Sequence, residues 1–295
     1  MVKRQRIVGG IGVLLLIGVG VAFLIIGLRL SKDEMRKRSG TEINVLPEPY
    51  DDAEKIESDP TVPKTYQVES LARVRNQGSC GSCWAFAVAS ALEDVWSKRM
   101  NNSSRVSELS PQWMLNCWSG YGGRTNKCES GNTLDSAMQI ATNPIATESM
   151  VPYVAGNYPK CGSGCFLNSC GGESDTNIAF TKVRPIRYVG DLQETVNEIK
   201  REIIKNGPVV AGMIVYDNFP NGLTYGVYEG GKENSEVLGG HAVKIVGWGE
   251  DEKGGYWTIQ NSWGLAWGNV TTPGFLAMRM GSNVYIEQYV YCGIV

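Results

Sequence analysis

Gln77-Gly-Ser-Cys80-Gly-Ser-Cys83-Trp84-Ala-Phe86 puts a thiol where a helix is about to begin, and no other string constrains this chain as much. Beyond it Ala85, Val88, Ala89, Leu92 and Trp96 recur at three- and four-residue intervals. Glu93 and Asp94 fall mid-run, and Lys98 and Arg99 close the run before Asn101-Asn102. That spacing predicts a helix. A cysteine on its first turn lies against unpaired backbone N–H groups and the positive end of the macrodipole, which favours thiolate over thiol. Such a sulfur is a candidate nucleophile. A redox pair at Cys80 and Cys83 is the alternative, but it wants a buried strand before the first cysteine, and none is legible there.

A nucleophile needs a proton partner and something to hold that partner in place. The chain has one histidine, His241, in the alternating run Gly239-Gly-His241-Ala-Val-Lys-Ile-Val-Gly-Trp248-Gly. Gly255-Tyr-Trp-Thr-Ile-Gln-Asn261-Ser-Trp263-Gly reads as the next strand, with the polar turn Glu250-Asp-Glu-Lys-Gly254 between. A hairpin centred near Asp251 would set His241 and Asn261 roughly opposite each other, where an amide can fix the tautomer of an imidazole. A purely structural histidine is the plainer reading of His241 alone; Trp248 and Trp267 read as core aromatics.

These strings, with Lys205-Asn-Gly-Pro208-Val, resemble the papain-like cysteine peptidases, and the wording is most similar to the cathepsin B branch. The resemblance runs from about Val62 to Val295. It implies an α+β, two-lobe papain-like fold, with a helical lobe over about 62–180 and an antiparallel β-barrel-like lobe over about 181–295. It also implies acyl transfer from peptide to water. Cys83 attacks, His241 stabilises the thiolate and protonates the leaving amine, Asn261 orients His241, and Trp263 shields that contact. Gln77 and the backbone N–H of Cys83 donate to the oxyanion, a term worth roughly 3 kcal/mol per donor. Substrate-binding candidates are Ser130, Gly131, Gly240, Trp263 and Tyr289. Glu129-Ser130-Gly131 departs from the family's Asn-Gly-Gly after Cys128, and Tyr289 stands where cathepsin B has an acidic residue in its main specificity pocket. With no histidine to spare for an occluding loop, endopeptidase action is expected rather than dipeptide trimming. The resemblance pairs Cys80 with Cys128 and sends Cys117 to one of Cys161, Cys165 and Cys170.

Eight cysteines in 295 residues favour an oxidising compartment, and with Cys83 set aside an odd number remains. At least one of those is therefore unpaired or bonded to another chain. A zinc site at Cys161, Cys165 and Cys170 is the alternative, but it lacks a second histidine and a fourth ligand. No motif implies a cofactor or a metal. The net charge of −2 hides an asymmetry of +6 over residues 1–38 and −8 over the rest. An acidic body argues against nucleic acid as a partner.

Residues 7–28 carry no charge and would span roughly 33 Å as a helix, enough for a bilayer. They read as a transmembrane anchor behind the basic tail 1–6, and not as a cleaved signal, since no Ala-x-Ala-like site follows. Basic residues flank both ends, so the positive-inside rule alone would put the body in the cytosol. The cysteines argue the reverse, with weak support from glycosylation acceptors at Asn102 and Asn269. The expectation is a single-pass protein, N-in and C-out, with a luminal or extracellular catalytic domain over 62–295. Residues 29–61 read as a linker or short propeptide, with no long amphipathic helix for a full inhibitory prodomain: a short extended segment covers the cleft, control is exercised elsewhere, or the stretch is a passive tether. A papain-fold protein that binds peptides without cleaving them is the competing function. Cys83, His241, Asn261 and Gln77 together argue against it.

Overall fold

A computed structural model of the chain describes residues 29–39, 46–50, 60–69, 71–101, 106–117, 128, 134–155 and 174–295. The apolar run 7–28, Asn102, Ser130, Gly131, Cys161, Cys165 and Cys170 lie outside them. No helix among the described residues is long and apolar enough to cross a membrane.

Two hydrophobic cores organise the molecule. The first is built on α2 (Cys83–Arg99), packed by α3 (Pro111–Cys117) and α4 (Leu134–Ile140). Fourteen of the seventeen α2 residues are buried, so this helix is the lobe's axis and not an amphipathic surface element. The second core fills the space under α5 (Leu192–Asn206) and a mostly antiparallel sheet. The apolar spacing of α5 at Leu192, Val196, Ile199 and Ile203 buries all four. Asp191 caps it through Glu194 N, and Gly207, at φ 118°, stops it.

The sheet strands are β1 (Tyr66–Gln67), β2 (Lys182–Ile186), β3 (Val209–Tyr216), β5 (Val227–Tyr228), β6 (Val237–Asp251), β7 (Gly254–Gln260), β9 (Phe275–Arg279) and β10 (Val290–Ile294). Their order is β2-β10-β3-β6-β7-β9-β5, with β1 added on β6; β4 (Leu223–Thr224) and β8 (Gly268–Asn269) form a separate pair. The pairings run as an open path from β2 to β5, so among the described residues the barrel-like expectation is met by a sheet without a closing seam. β1 crosses β6 so closely that a Cβ at Gly247 would lie 2.1 Å from the Tyr66 carbonyl oxygen.

An eight-residue helix, α1 (Lys32–Ser39), precedes all of this and packs on β6. Its N-cap, in the sequence Ser31-Lys-Asp-Glu34, is Ser31, whose Oγ accepts from Glu34 N at 3.1 Å. Acidic residues open it and Arg36, Lys37 and Arg38 close it, complementing the dipole. Met35, 1 % exposed, joins the second core.

The lobes meet where α2 lies against β6. Asp94 of α2 is ion-paired with Lys244 of β6, both side chains essentially fully buried. Ala72 N donates to the other Asp94 oxygen at 2.5 Å, and Glu93 pairs with Arg75 at 3.1 Å beside it. Burial lowers the Lys244 pKa against the pull of Asp94. Removing one partner of such a pair strands a buried charge, whereas removing both does not. Asp94→Ala should therefore cost roughly 3–5 kcal/mol in urea unfolding at neutral pH. Adding Lys244→Met should recover most of that; a single-variant loss below about 1 kcal/mol would mean that water reaches the pair.

Candidate active site

Cys83 stands at the first position of α2, as the sequence predicts. Its Sγ accepts from Ala242 N at 3.4 Å, so the sulfur lies against the residue that follows the sole histidine. Behind that histidine Asn261 completes the group: His241 Nε2 and Asn261 Oδ1 are 2.8 Å apart. Ser262 N donates to the same Oδ1 at 2.7 Å, and a backbone N–H can only donate, so the carboxamide orientation is fixed. His241 Nε2 must then carry a proton, which leaves Nδ1 as the basic nitrogen when the ring is neutral.

The hairpin reaches this geometry by a route the sequence did not disclose. Its turn falls at Glu252-Lys253, between the paired Asp251 and Gly254, and not at Asp251. Carried inward without interruption, that register would face Asn261 with Lys244, on the sheet face opposite to His241. A bulge between Ile245 and Gly247 shifts the pairing to Ile245↔Ile259 and Lys244↔Gln260. Extended by one residue, Asn261 then faces Val243 and shares its face with His241 two positions on. One extra residue at Val246 thus decides whether the amide can meet the imidazole.

Aromatic rings wall the site. Trp263, 3 % exposed, lies with its ring centroid 5.0 Å from that of His241 and is itself packed edge-on against Phe219 and Trp267. Gln77 is fully buried; its Oε1 accepts from Ser262 Oγ at 2.6 Å and its Nε2 donates to Cys80 O. Cys80 is bonded to Cys128, which ties the strand-free loop before α2 to the chain at 128. Cys292 is the odd cysteine among the described residues, buried with Sγ 3.3 Å from the Arg184 carbonyl. Gly240 lies on β6, partly exposed, beside His241. Tyr289 is about half exposed and sits with Leu134 over Gly212, where an added Cβ would meet both side chains at 3.3 Å.

The C-terminal end of α1 covers this site. Arg38 O accepts from Gln77 Nε2 at 2.9 Å, and Ser39 O lies 3.7 Å from the Cys83 sulfur. Lys32 pairs with Asp217 at 2.6 Å, Arg36 with Glu236, and Glu34 receives both Arg38 at 3.1 Å and Ser79 Oγ at 2.5 Å. His241 Nδ1 is buried and has no hydrogen-bond partner among the described residues. Within 29–61, residues 32–39 form a helix whose C-terminal end lies against the site, where the sequence reading offered an extended segment as one option. Its signal was the N-cap Ser31. Sequence reasoning also passed over Arg75, Lys244 and Ser262, whose partners are distant in the chain.

Coverage reverses the charge state expected from the helix start alone. Burial pushes the Cys83 thiol up to about 11, with backbone N–H groups of Ala242 and Trp84 opposing it. Burial likewise lowers His241 to about 4, with the Asn261 contact opposing. Under α1 the pair is neutral at pH 7.

Residues 62–294 match the family model described as papain family cysteine protease. The chain belongs to that family. It is 30 % identical over 267 residues to the cathepsin B-like cysteine proteinase 1 of Ostertagia ostertagi, covering 81 % of this chain and 75 % of that one. With the cathepsin B-like cysteine proteinase 5 of Caenorhabditis elegans it shares 31 % over 251 residues, 76 % and 70 % of the two chains. A solved procathepsin B of Trypanosoma congolense has the same fold, with a TM-score of 0.65 at 23 % identity over 90 % of this chain and 88 % of the other. This papain-family member is thus a cysteine-type peptidase with peptide or protein substrates.

A thiol held near 11 leaves on the order of one sulfur in a few thousand ionised at pH 7.5. Iodoacetamide labelling of Cys83 in the intact chain, mapped by mass spectrometry, should therefore be slow and climb with pH without a plateau below about 11. Met35→Glu, which puts a charge into the core contact of α1, should speed labelling at pH 7.5 by about 100-fold or more. Equal rates for the two chains would show that α1 does not govern the thiol.

Proposed function

We propose that this chain is a membrane-anchored thiol endopeptidase that works through Cys83, His241 and Asn261 once α1 has left the cleft. The observation that carries the reading is the fixed Asn261 carboxamide on His241, with the sulfur against the next residue of the same strand. With α1 displaced, water and the backbone N–H groups at the start of α2 would stabilise a thiolate, and the imidazole would hold the proton. The thiolate would attack the peptide carbonyl. Gln77 Nε2, now occupied by the Arg38 carbonyl, would turn to the oxyanion. The His241 imidazolium would protonate the leaving amine; as neutral base it would then activate the water that releases the acyl group.

Tyr289 and Leu134, together over Gly212, offer an apolar, aromatic surface, which favours apolar side chains over arginine. The absence of a second histidine in the sequence favours internal cleavage. The Cys80–Cys128 disulfide supports a luminal or extracellular domain, and the charge-free run 7–28 supports a single-pass anchor with its N-terminus in the cytosol.

An epoxide reagent that alkylates only assembled thiolates should label Met35→Glu protein at Cys83, and the same protein should cut internal bonds of long peptides. Cys83→Ala should lower turnover by about 10⁴-fold or more. A Met35→Glu chain with a reachable but epoxide-inert Cys83 would favour the silent, peptide-binding alternative. Predominant release of C-terminal dipeptides would overturn the endopeptidase assignment.

A further inference from the structure

One phenol oxygen bridges the two ends of the segment that leads into Cys83. Tyr153 OH donates to the Gln77 carbonyl at 2.7 Å, and the same oxygen lies 2.7 Å from Ser82 Oγ. Burial pushes the phenol up to about 12, so at neutral pH it keeps its single proton, and that proton is on Gln77 O. Ser82 is therefore the donor in the second contact. Gln77 and Ser82 are both 0 % exposed, so each contact satisfies a group that water does not reach. Between them Gly78, at φ 60°, and Gly81 give the segment little stiffness of its own.

Tyr153 is well placed to supply that stiffness. Its ring packs edge-on against Phe86 of α2 with centroids 4.7 Å apart, and its own N–H donates to Glu148 Oε1 at 2.7 Å. On either side Val151 O accepts from Ser110 Oγ at 2.5 Å and Val154 N donates to Gln112 Oε1 at 3.0 Å, which pins this stretch to the start of α3. The opposite lobe holds the same glutamine from the other side: Gln77 N donates to Ser262 O at 2.8 Å, and Gln77 Oε1 accepts from Ser262 Oγ at 2.6 Å.

We propose that Tyr153 is a positioning residue for the oxyanion site, its phenol bridge fixing the spacing between the Gln77 side chain at one end of the segment and the Cys83 N–H just past the other. The proposal rests on the peptidase reading above, in which those two groups are the oxyanion donors. Tyr153 acts through Gln77 and Ser82 and donates to nothing that reacts. Stabilisation of a developing charge falls off steeply when a donor is misplaced, so a held spacing acts on the transition state more than on bound substrate.

Peptide cleavage by the opened Met35→Glu chain tests the bridge. Tyr153→Phe removes the hydroxyl and keeps the ring on Phe86; Ser82→Ala cuts the other arm and leaves Gln77 O its donor. Each should lower kcat about tenfold with KM within about twofold. Gln77→Ala should lower kcat about 100-fold or more, and in that background either substitution should cost less than about twofold, because a single remaining donor has no spacing left to fix. Tenfold losses that persist on top of Gln77→Ala overturn the proposal, as do losses confined to KM or an unchanged kcat in both single variants. Should Tyr153→Phe fail to fold by circular dichroism, Ser82→Ala and its double variant decide alone. An opened parent chain whose Cys83 reacts with iodoacetamide but which cuts no peptide refutes the peptidase reading and the oxyanion role with it; turnover with additive losses refutes the bridge alone.

Discussion

The contact of α2 with β6 is the constraint on which the rest depends. One lobe carries Cys83 and the other His241, and the proposed chemistry needs both. At that seam Cys83 Sγ meets Ala242 N, and two residues along the same strand Lys244 meets Asp94 from the same helix. The ion pair and the reactive pair are two ends of one interface. A buried ion pair offers little net stability over apolar packing, but it strongly resists losing one member, so it sets register where apolar side chains would tolerate sliding.

α1 exploits the same seam. Its ion pairs with Asp217 and Glu236 are exposed and individually weak. Met35 supplies burial, and the helix C-terminus supplies carbonyls where the site offers donors. The result is chemical as well as steric: excluding water from Cys83 and His241 raises one affinity for the proton and lowers the other, which removes the ion pair that a nucleophilic sulfur needs.

Much of this was legible in the sequence because local patterns encode it. The spacing of Ala85, Val88, Ala89 and Leu92 places α2 and Cys83 at its start, and the alternation around His241 and before Asn261 gives two adjacent strands. Long-range partners were not legible. Nothing near Glu93 and Asp94 in the chain announces Arg75 and Lys244, which reach them from distant segments. The bulge at Val246 was hidden because register depends on how β1 and β7 both press on β6, not on the composition of β6. α1 was readable only from its cap, since eight residues with one buried apolar side chain carry no usable periodicity.

The sole histidine makes the central claim directly measurable. An NMR titration of the His241 ring in the intact chain should show neutral imidazole at pH 7 and protonation only near about 4. In the Met35→Glu chain the ring should be imidazolium at pH 7, and adding Cys83→Ala should return it to neutral, because the charge exists only as the partner of the thiolate. A ring that stays neutral at pH 7 in the opened chain, or one that is charged with or without the sulfur, would contradict the account.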